Sequence, residues 1–386
     1  MIPGQKSIVK FHFILTPLYK VWLILGLAPI EQRANPVFGC KKSRRNLCSV
    51  AWPSVFWLFV TALVSVIYWY YMIQIFRSLP NLSSAIYCLF VAITDGKQLL
   101  IFLICAATRL DRLRLFIKEL QFVDDGIPLK ETRCSTLFSS SLLFINVALM
   151  SGVIGLHSSS GGMILLIHLI FRWFLDSVVL LQFVLLVLKL WKRFCRLNAS
   201  LEEEVCHSDF PVLRVSPQSA VFKRKLHKLQ MAFVALGRAA EQLEEHFGLP
   251  VAFDIAQCMF GATCSTYEVI TVLFLSQDTE LPQLSKSASA STLWLAYHCL
   301  KLVALSLSCA AAQNESVRTG VLLQRFPVLP SGQSVEMDAF LRVALLGLPL
   351  RFTASGFVEI DRRLLVSAVA VTVTYLVIII QSTTNQ

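Results

Sequence analysis

Three ionisable side chains, His168, Arg172 and Asp176, recur every four residues through an otherwise apolar run, with Trp173 beside them. That period places them on one stripe of a helix. Ionisable groups inside a lipid-spanning helix face protein or water and mark function, so the stripe suits a cavity for a small polar ligand. An Arg172 to Asp176 pair, one turn apart, would instead tie helices together; the sequence leaves both readings open. Trp294, Tyr297, His298 and Lys301 form a second stripe. It offers aromatic faces and hydrogen-bonding ends to a ligand, or an interfacial belt of Trp and Tyr at a span end. Tyr267, Glu268 and Tyr87 are further candidate ligand contacts near outer span ends. Asp95 and Lys97 lie deeper, where they would neutralise each other or bond to neighbouring helices.

None of this resembles a catalytic centre. The 11 cysteines are odd in number, scattered and without a Cys-x-x-Cys, so neither a disulfide framework nor a zinc site is indicated. A phosphate-binding loop, a nucleophile elbow and a His-Glu-x-x-His are all missing from the sequence. No enzyme, metal or cofactor is expected.

The elements that must position these residues are membrane helices. With 55% hydrophobic residues, 15% charged and a mean hydropathy of +0.65, the chain lies outside the range of soluble globular proteins. A hydrocarbon core of about 30 Å takes roughly 20 apolar residues in helix. Seven segments qualify: 51–76, 84–108, 135–155, 163–190, 249–276, 291–312 and 364–381. The expected fold is an all-α bundle of seven transmembrane helices. Of the 35 Lys and Arg, eight precede the first span, six follow the second, ten run from the end of the fourth to the fifth, and six separate the sixth from the seventh. Only Arg77 and Lys286 fall in the alternate loops. The positive-inside rule therefore puts the N-terminus in the cytoplasm and the C-terminus outside. This excludes the topology of G-protein-coupled receptors, whose N-terminus is outside. The basic pI of about 9.2 is thus topological, and no basic, aromatic-interleaved patch suggests nucleic acid. Of three Asn-x-Ser sequons, Asn81 is expected outside and Asn198 and Asn314 in the cytoplasm.

The organisation that follows is a cytoplasmic N-terminal segment, 1–50, spans one to four over 51–190, and a cytoplasmic anchor segment, 191–248. Spans five and six occupy 249–312, a second anchor segment 313–363, and the seventh span and outer terminus 364–386. Pro17, Lys20 and Pro29 interrupt the first segment, which reads as an amphipathic helix on the membrane surface or packed on the bundle. In the first anchor segment Leu226, Leu229, Phe233, Leu236, Ala240, Leu243 and Phe247 alternate by threes and fours. That seam needs a partner, within the subunit or in another. A further helix is expected at "MDAFLRVALLGL", followed by breaks at Pro349 and Gly356.

The last stretch, "LPLRFTASGFVEIDRRLLVSAVAVTVTYLVIIIQ", resembles the C-terminal signature of the insect gustatory receptors. The pattern falls on Phe352, Thr353, Ala354, Gly356, Asp361, Leu364, Leu365, Thr374, Tyr375 and Gln381. Weaker echoes are "GLAP", "RFCRLN" and "EEHFGLP". The resemblance implies a taste receptor in the plasma membrane of chemosensory neurons, built as a ligand-gated cation channel. Four like or unlike gustatory receptor subunits would surround one pore, each contributing its seventh helix, above a cytoplasmic helical anchor. Four copies of Gln381 would ring the conduit with amides, or Gln381 would simply cap the helix. Tyr375 would brace the helix below, and Ile378 would form the hydrophobic constriction. Where the family has an aromatic after the glutamine, this chain has Ser382; where its sugar receptors have Glu after Thr-Tyr, it has Leu376. The tastant is therefore a bitter-type compound or a sugar such as fructose. A seven-helix receptor or transport-like protein that does not conduct by itself is the alternative.

Overall fold

In the computed structural model, residues 15–28, 47–78, 82–108, 111–127, 133–157, 163–208, 217–272, 281–325, 334–346 and 350–384 are described. They form an all-α bundle with one minimal hairpin. Three helices set its scale: α6 (Met163–Ser208), α7 (Pro217–Ile270) and α8 (Leu281–Gln324), of 46, 54 and 44 residues. At 1.5 Å per residue each is longer than about 60 Å, twice a bilayer core. Each therefore runs unbroken from a spanning segment into the segment assigned to the cytoplasm. The borders at 190, 248 and 312 fall inside these helices rather than between elements.

Around them stand α2 (Leu47–Ser78), α3 (Leu82–Thr108), α5 (Arg133–His157) and α10 (Arg363–Thr384). Among the described residues five helices are long and apolar enough to cross a membrane: α2, α6, α7, α8 and α10. α3 and α5, of 27 and 25 residues, are long enough to do so as well. α6 is the axis of the bundle, with 89% of its apolar stretch buried, against 22% in α2 and 11% in α10. On α2 the polarity is inverted relative to a soluble helix. Ser54, Thr61, Ser65 and Tyr68 face the protein, while Trp52, Phe56, Phe59, Leu63 and Val66 are exposed. Small hydroxyl residues allow close helix packing, and the apolar side suits lipid.

Short α1 (Leu15–Ile24) carries Pro17 in its first turn, where the missing N–H costs nothing. It is packed on the bundle: Trp22, Leu25 and Leu27 are buried. The carbonyls at its end and just beyond accept bonds from Ser54 Oγ to Gly26 (2.7 Å), Trp57 Nε1 to Ile24 (2.9 Å) and Gln182 Nε2 to Leu27 (2.7 Å). Gly26 has a positive φ of 69°. A Cβ there would stand 2.4 Å from Ser54 N, so only glycine fits.

The seam on α7 is satisfied within the chain. Leu226, Leu229, Leu236, Ala240, Leu243 and Phe247 are buried, against α4 (Asp111–Gly126), α6 and α9 (Ser334–Leu346). Phe233 bridges Phe194 of α6 and Phe340 of α9, each at 5.9 Å. Before α10 comes a feature with no counterpart in the expectation of helices alone: strands β1 (Thr353–Ala354) and β2 (Val358–Glu359) pair antiparallel. Ser355 and Gly356 turn between them at φ 53° and 77°. Asp361 then caps α10, its Oδ1 accepting from Arg363 N at 2.8 Å.

Candidate functional site

The His168, Arg172 and Asp176 stripe of α6 is buried in the middle of the bundle. Its members serve two adjoining clusters rather than one another. Asp176 meets Lys97 of α3 and Lys301 of α8, the latter at 2.5 Å. Asp254 of α7 accepts from both lysines, at 2.7 Å and 3.0 Å. Gln257 accepts from Lys97 at 2.7 Å, and Tyr297 donates to Asp176 at 2.9 Å. Two cations and two anions from four helices thus form a charge-balanced, buried core. Ion pairs of this kind stabilise little in net terms, because desolvation offsets attraction. They do fix which helix faces may meet.

Toward the N-terminal end of α6, Arg172 lies 3.4 Å from Asp95 of α3, and His168 lies 3.7 Å from the same oxygen. Trp69 Nε1 donates to the other Asp95 oxygen at 3.2 Å, and Gln98 Nε2 holds the Arg172 carbonyl at 2.8 Å. Tyr68 stacks on His168 with centroids 3.8 Å apart. Asp95 Oδ1, His168 Nε2 and Arg172 Nε are buried and make no hydrogen bond among the described residues. Three polar atoms therefore converge at ion-pair range without completing their bonding.

This geometry removes two of the alternatives the sequence left open. Arg172 and Asp176 do not pair; Arg172 reaches Asp95 of α3, and Asp176 reaches Lys97 of α3 and Lys301 of α8. Asp95 and Lys97 do not neutralise each other either, because residues two apart project to opposite sides of a helix. Their bonding to neighbouring helices is what the structure shows.

The second stripe is interior, not an interfacial belt. Tyr297, His298 and Lys301 are buried. Trp294 meets Trp173 edge-on at 4.1 Å and stacks on His298 at 5.6 Å. Gly261 of α7 permits that packing: a Cβ on it would fall 2.3 Å from His298 Nε2. Glu268 is exposed and accepts from Ser291 of α8 at 2.7 Å, with Tyr267 half-buried beside it; these two stand apart from the clusters. Tyr87 belongs to α3, but its side chain lies outside the described residues. Asp254 and Gln257 escaped the sequence reading. The signal was present, since Asp254 is an ionisable residue five positions into an expected span.

At the other end of the bundle, α10 is covered by its own chain only near its base. Leu364 and Ala368 are buried, whereas Val366, Val369, Val373, Tyr375, Val377 and Ile378 are exposed. Thr374 Oγ1 donates to Ala370 O at 2.9 Å. The helix continues three residues beyond Gln381, to Thr384, so Gln381 is a helical position rather than its end. The side chain of Ser382 is outside the described residues. At the base of α10 lie the signature residues: Phe352 and Ala354 are buried, and Thr353 bonds to Glu244 of α7.

Known proteins resemble this chain in sequence or in fold. The chain is 26% identical over 174 residues to the gustatory receptor for sugar taste 43a of Drosophila melanogaster, a match covering 43% of this chain and 38% of that relative. The olfactory receptor OR5 of the insect Machilis hrabei, solved in complex with eugenol, superposes with a TM-score of 0.68 at 12% identity. That alignment covers 96% of this chain and 98% of the other. The same receptor in a second structure gives 0.61 at 13% identity, over 95% and 97%. The fold is that of an insect olfactory receptor. The family model described as 7tm Chemosensory receptor matches residues 15–386, and the chain belongs to that family.

Proposed function

We propose that this chemosensory receptor is a taste receptor that conducts cations when a ligand binds. In this reading four subunits assemble in the plasma membrane of chemosensory neurons, N-termini inside and C-termini outside, and α10 of each lines the pore. The observation that carries it is the bareness of α10. A 22-residue apolar helix with Tyr375 and Ile378 exposed on one face and Val369 and Val373 on another needs cover on several sides, and lipid cannot stabilise a helix that also carries the Gln381 amide as well as a protein-lined or wet surface can. Other subunits and a conduit supply both.

The ligand is proposed to act at the outer cluster. Asp95, His168 and Arg172 present unbonded polar atoms, with Tyr68 stacked on His168 and Trp69 bonded to Asp95. Such a set offers hydrogen bonds and stacking to a hydroxylated or heteroaromatic molecule. A sugar such as fructose and bitter-type compounds are the two classes to screen, the first supported by likeness to a sugar-taste receptor. Purified protein in planar bilayers should pass cation current on addition of an agonist from this screen. A protein that binds the agonist yet never conducts, in any oligomeric state, would favour the non-conducting receptor.

A further inference from the structure

We propose that Glu244 is the positioning residue through which α7 holds the start of α10, and so sets the resting position of that helix. The inference rests on α10 being the gate helix. It starts from two short sequences that the ligand site does not use, "EEHFGLP" and "FTASGF", 109 residues apart between Glu244 and Thr353. The fold brings them into contact.

Glu244 Oε1 accepts from Thr353 N at 3.2 Å and from Thr353 Oγ1. Thr353 Oγ1 in turn accepts from Gly356 N at 3.0 Å. One carboxylate thereby holds a strand and, through a hydroxyl, its turn. One helical turn along α7, Gly248 lets the hairpin sit directly on the helix: a Cβ there would be 3.2 Å from Ser355 N. The neighbouring motif residues point elsewhere. Glu245 pairs with Arg112 of α4 at 2.5 Å, and Phe247 packs on Phe183 of α6 at 5.6 Å. Phe183 also meets Phe352 at 6.4 Å.

The hairpin passes its position on. Ile360 N donates to Phe352 O at 2.8 Å, and Asp361, the next residue, caps α10. Between the Glu244 contact and the first residues of α10 there is no free linker. Beyond Ala368 its own chain leaves α10 almost uncovered, so this mount is where the subunit's interior reaches the helix. The same α7 carries Asp254 and Gln257 into the charged core, about 15 Å from Glu244 along the helix. Pro250 lies between them and lacks the N–H of a regular helical bond. Movement at the core can reach α10 through one helix and one carboxylate.

The test uses the full chain in lipid nanodiscs and compares wild type, Glu244→Ala, Glu244→Gln, Thr353→Val and the Glu244→Ala/Thr353→Val double variant. Charged hydrogen bonds of this kind support about tenfold or larger changes in local opening. Amide exchange should accelerate by about tenfold across 353–364, including the first turn of α10, in Glu244→Ala and in Thr353→Val. The double variant should add little, and Glu244→Gln, whose amide oxygen accepts the same bonds, should stay close to wild type. Exchange raised in the hairpin alone, with the first turn of α10 unchanged, overturns the proposal; so does no change in the hairpin. In oocytes at matched surface levels, ligand-free current should differ from wild type in Glu244→Ala and not in Glu244→Gln. Unchanged current despite faster exchange at α10 overturns the link to the gate. A wild type silent to fructose and bitter probes is a failure of the pore reading instead, and the exchange measurements then decide the role of Glu244.

Discussion

Asp176 is the most constrained side chain of the buried core, because it meets Lys97, Lys301 and Tyr297 at once. Removing it leaves two buried lysines sharing Asp254. Breaking a buried pair costs about 3–5 kcal/mol, so Asp176→Ala should lower the melting temperature or abolish a monodisperse peak in detergent. Arg172→Lys and His168→Ala should spare assembly and weaken the ligand response, since Asp95 keeps a cation in the first and Arg172 in the second. Equal thermal stability in all three variants would remove the distinction between core and ligand cluster. Gly261→Ala should lower surface expression by forcing His298 away from α7; overpacking costs about 1–3 kcal/mol. At this scale the sequence was half legible. Spacing put His168, Arg172 and Asp176 on one face, but a helical period says nothing of which helix lies opposite. The partners Asp95, Lys97 and Asp254 became readable only once α3 and α7 were packed on α6.

Elements were more legible than contacts. Apolar length located the spanning segments, and the seam from Leu226 to Phe247 announced a buried face. What hydropathy could not show is continuity. A polar helix segment beyond the membrane looks like a loop when only apolar windows are scored, and α6, α7 and α8 were each divided for that reason. The β1–β2 hairpin is too short for any periodic signal; only its glycine hinted at a turn. α10 supplies the prediction that belongs here. A hydrophobic constriction excludes water, and Ile378 is exposed one turn below Gln381. Ile378→Ser should raise ligand-free current, and Ser382→Phe should lower it while preserving the ligand response. Identical basal currents in wild type and both variants, at matched surface levels, would place the constriction elsewhere.

At the scale of the whole molecule, α10 is the least covered of the five apolar helices among the described residues, with 11% of its apolar stretch buried, which is why the proposal of a fourfold assembly falls on that helix. Orientation gives a separate check. Asn198 donates to the Glu315 carbonyl at 2.8 Å and is buried, so its sequon should carry no glycan; Asn81 lies outside the described residues. An epitope on the C-terminus should bind antibody on intact cells, and one on the N-terminus should bind only after permeabilisation. The reverse pattern would invert the bundle. The central claim, that α10 lines a conducting pore, is tested most directly by modifying Ile378→Cys with a charged thiol reagent during agonist-evoked current, with the wild type, which carries 11 native cysteines, as control. The account predicts that current through Ile378→Cys falls sharply on modification while wild-type current persists. Full modification of the introduced cysteine with no change in current would contradict it.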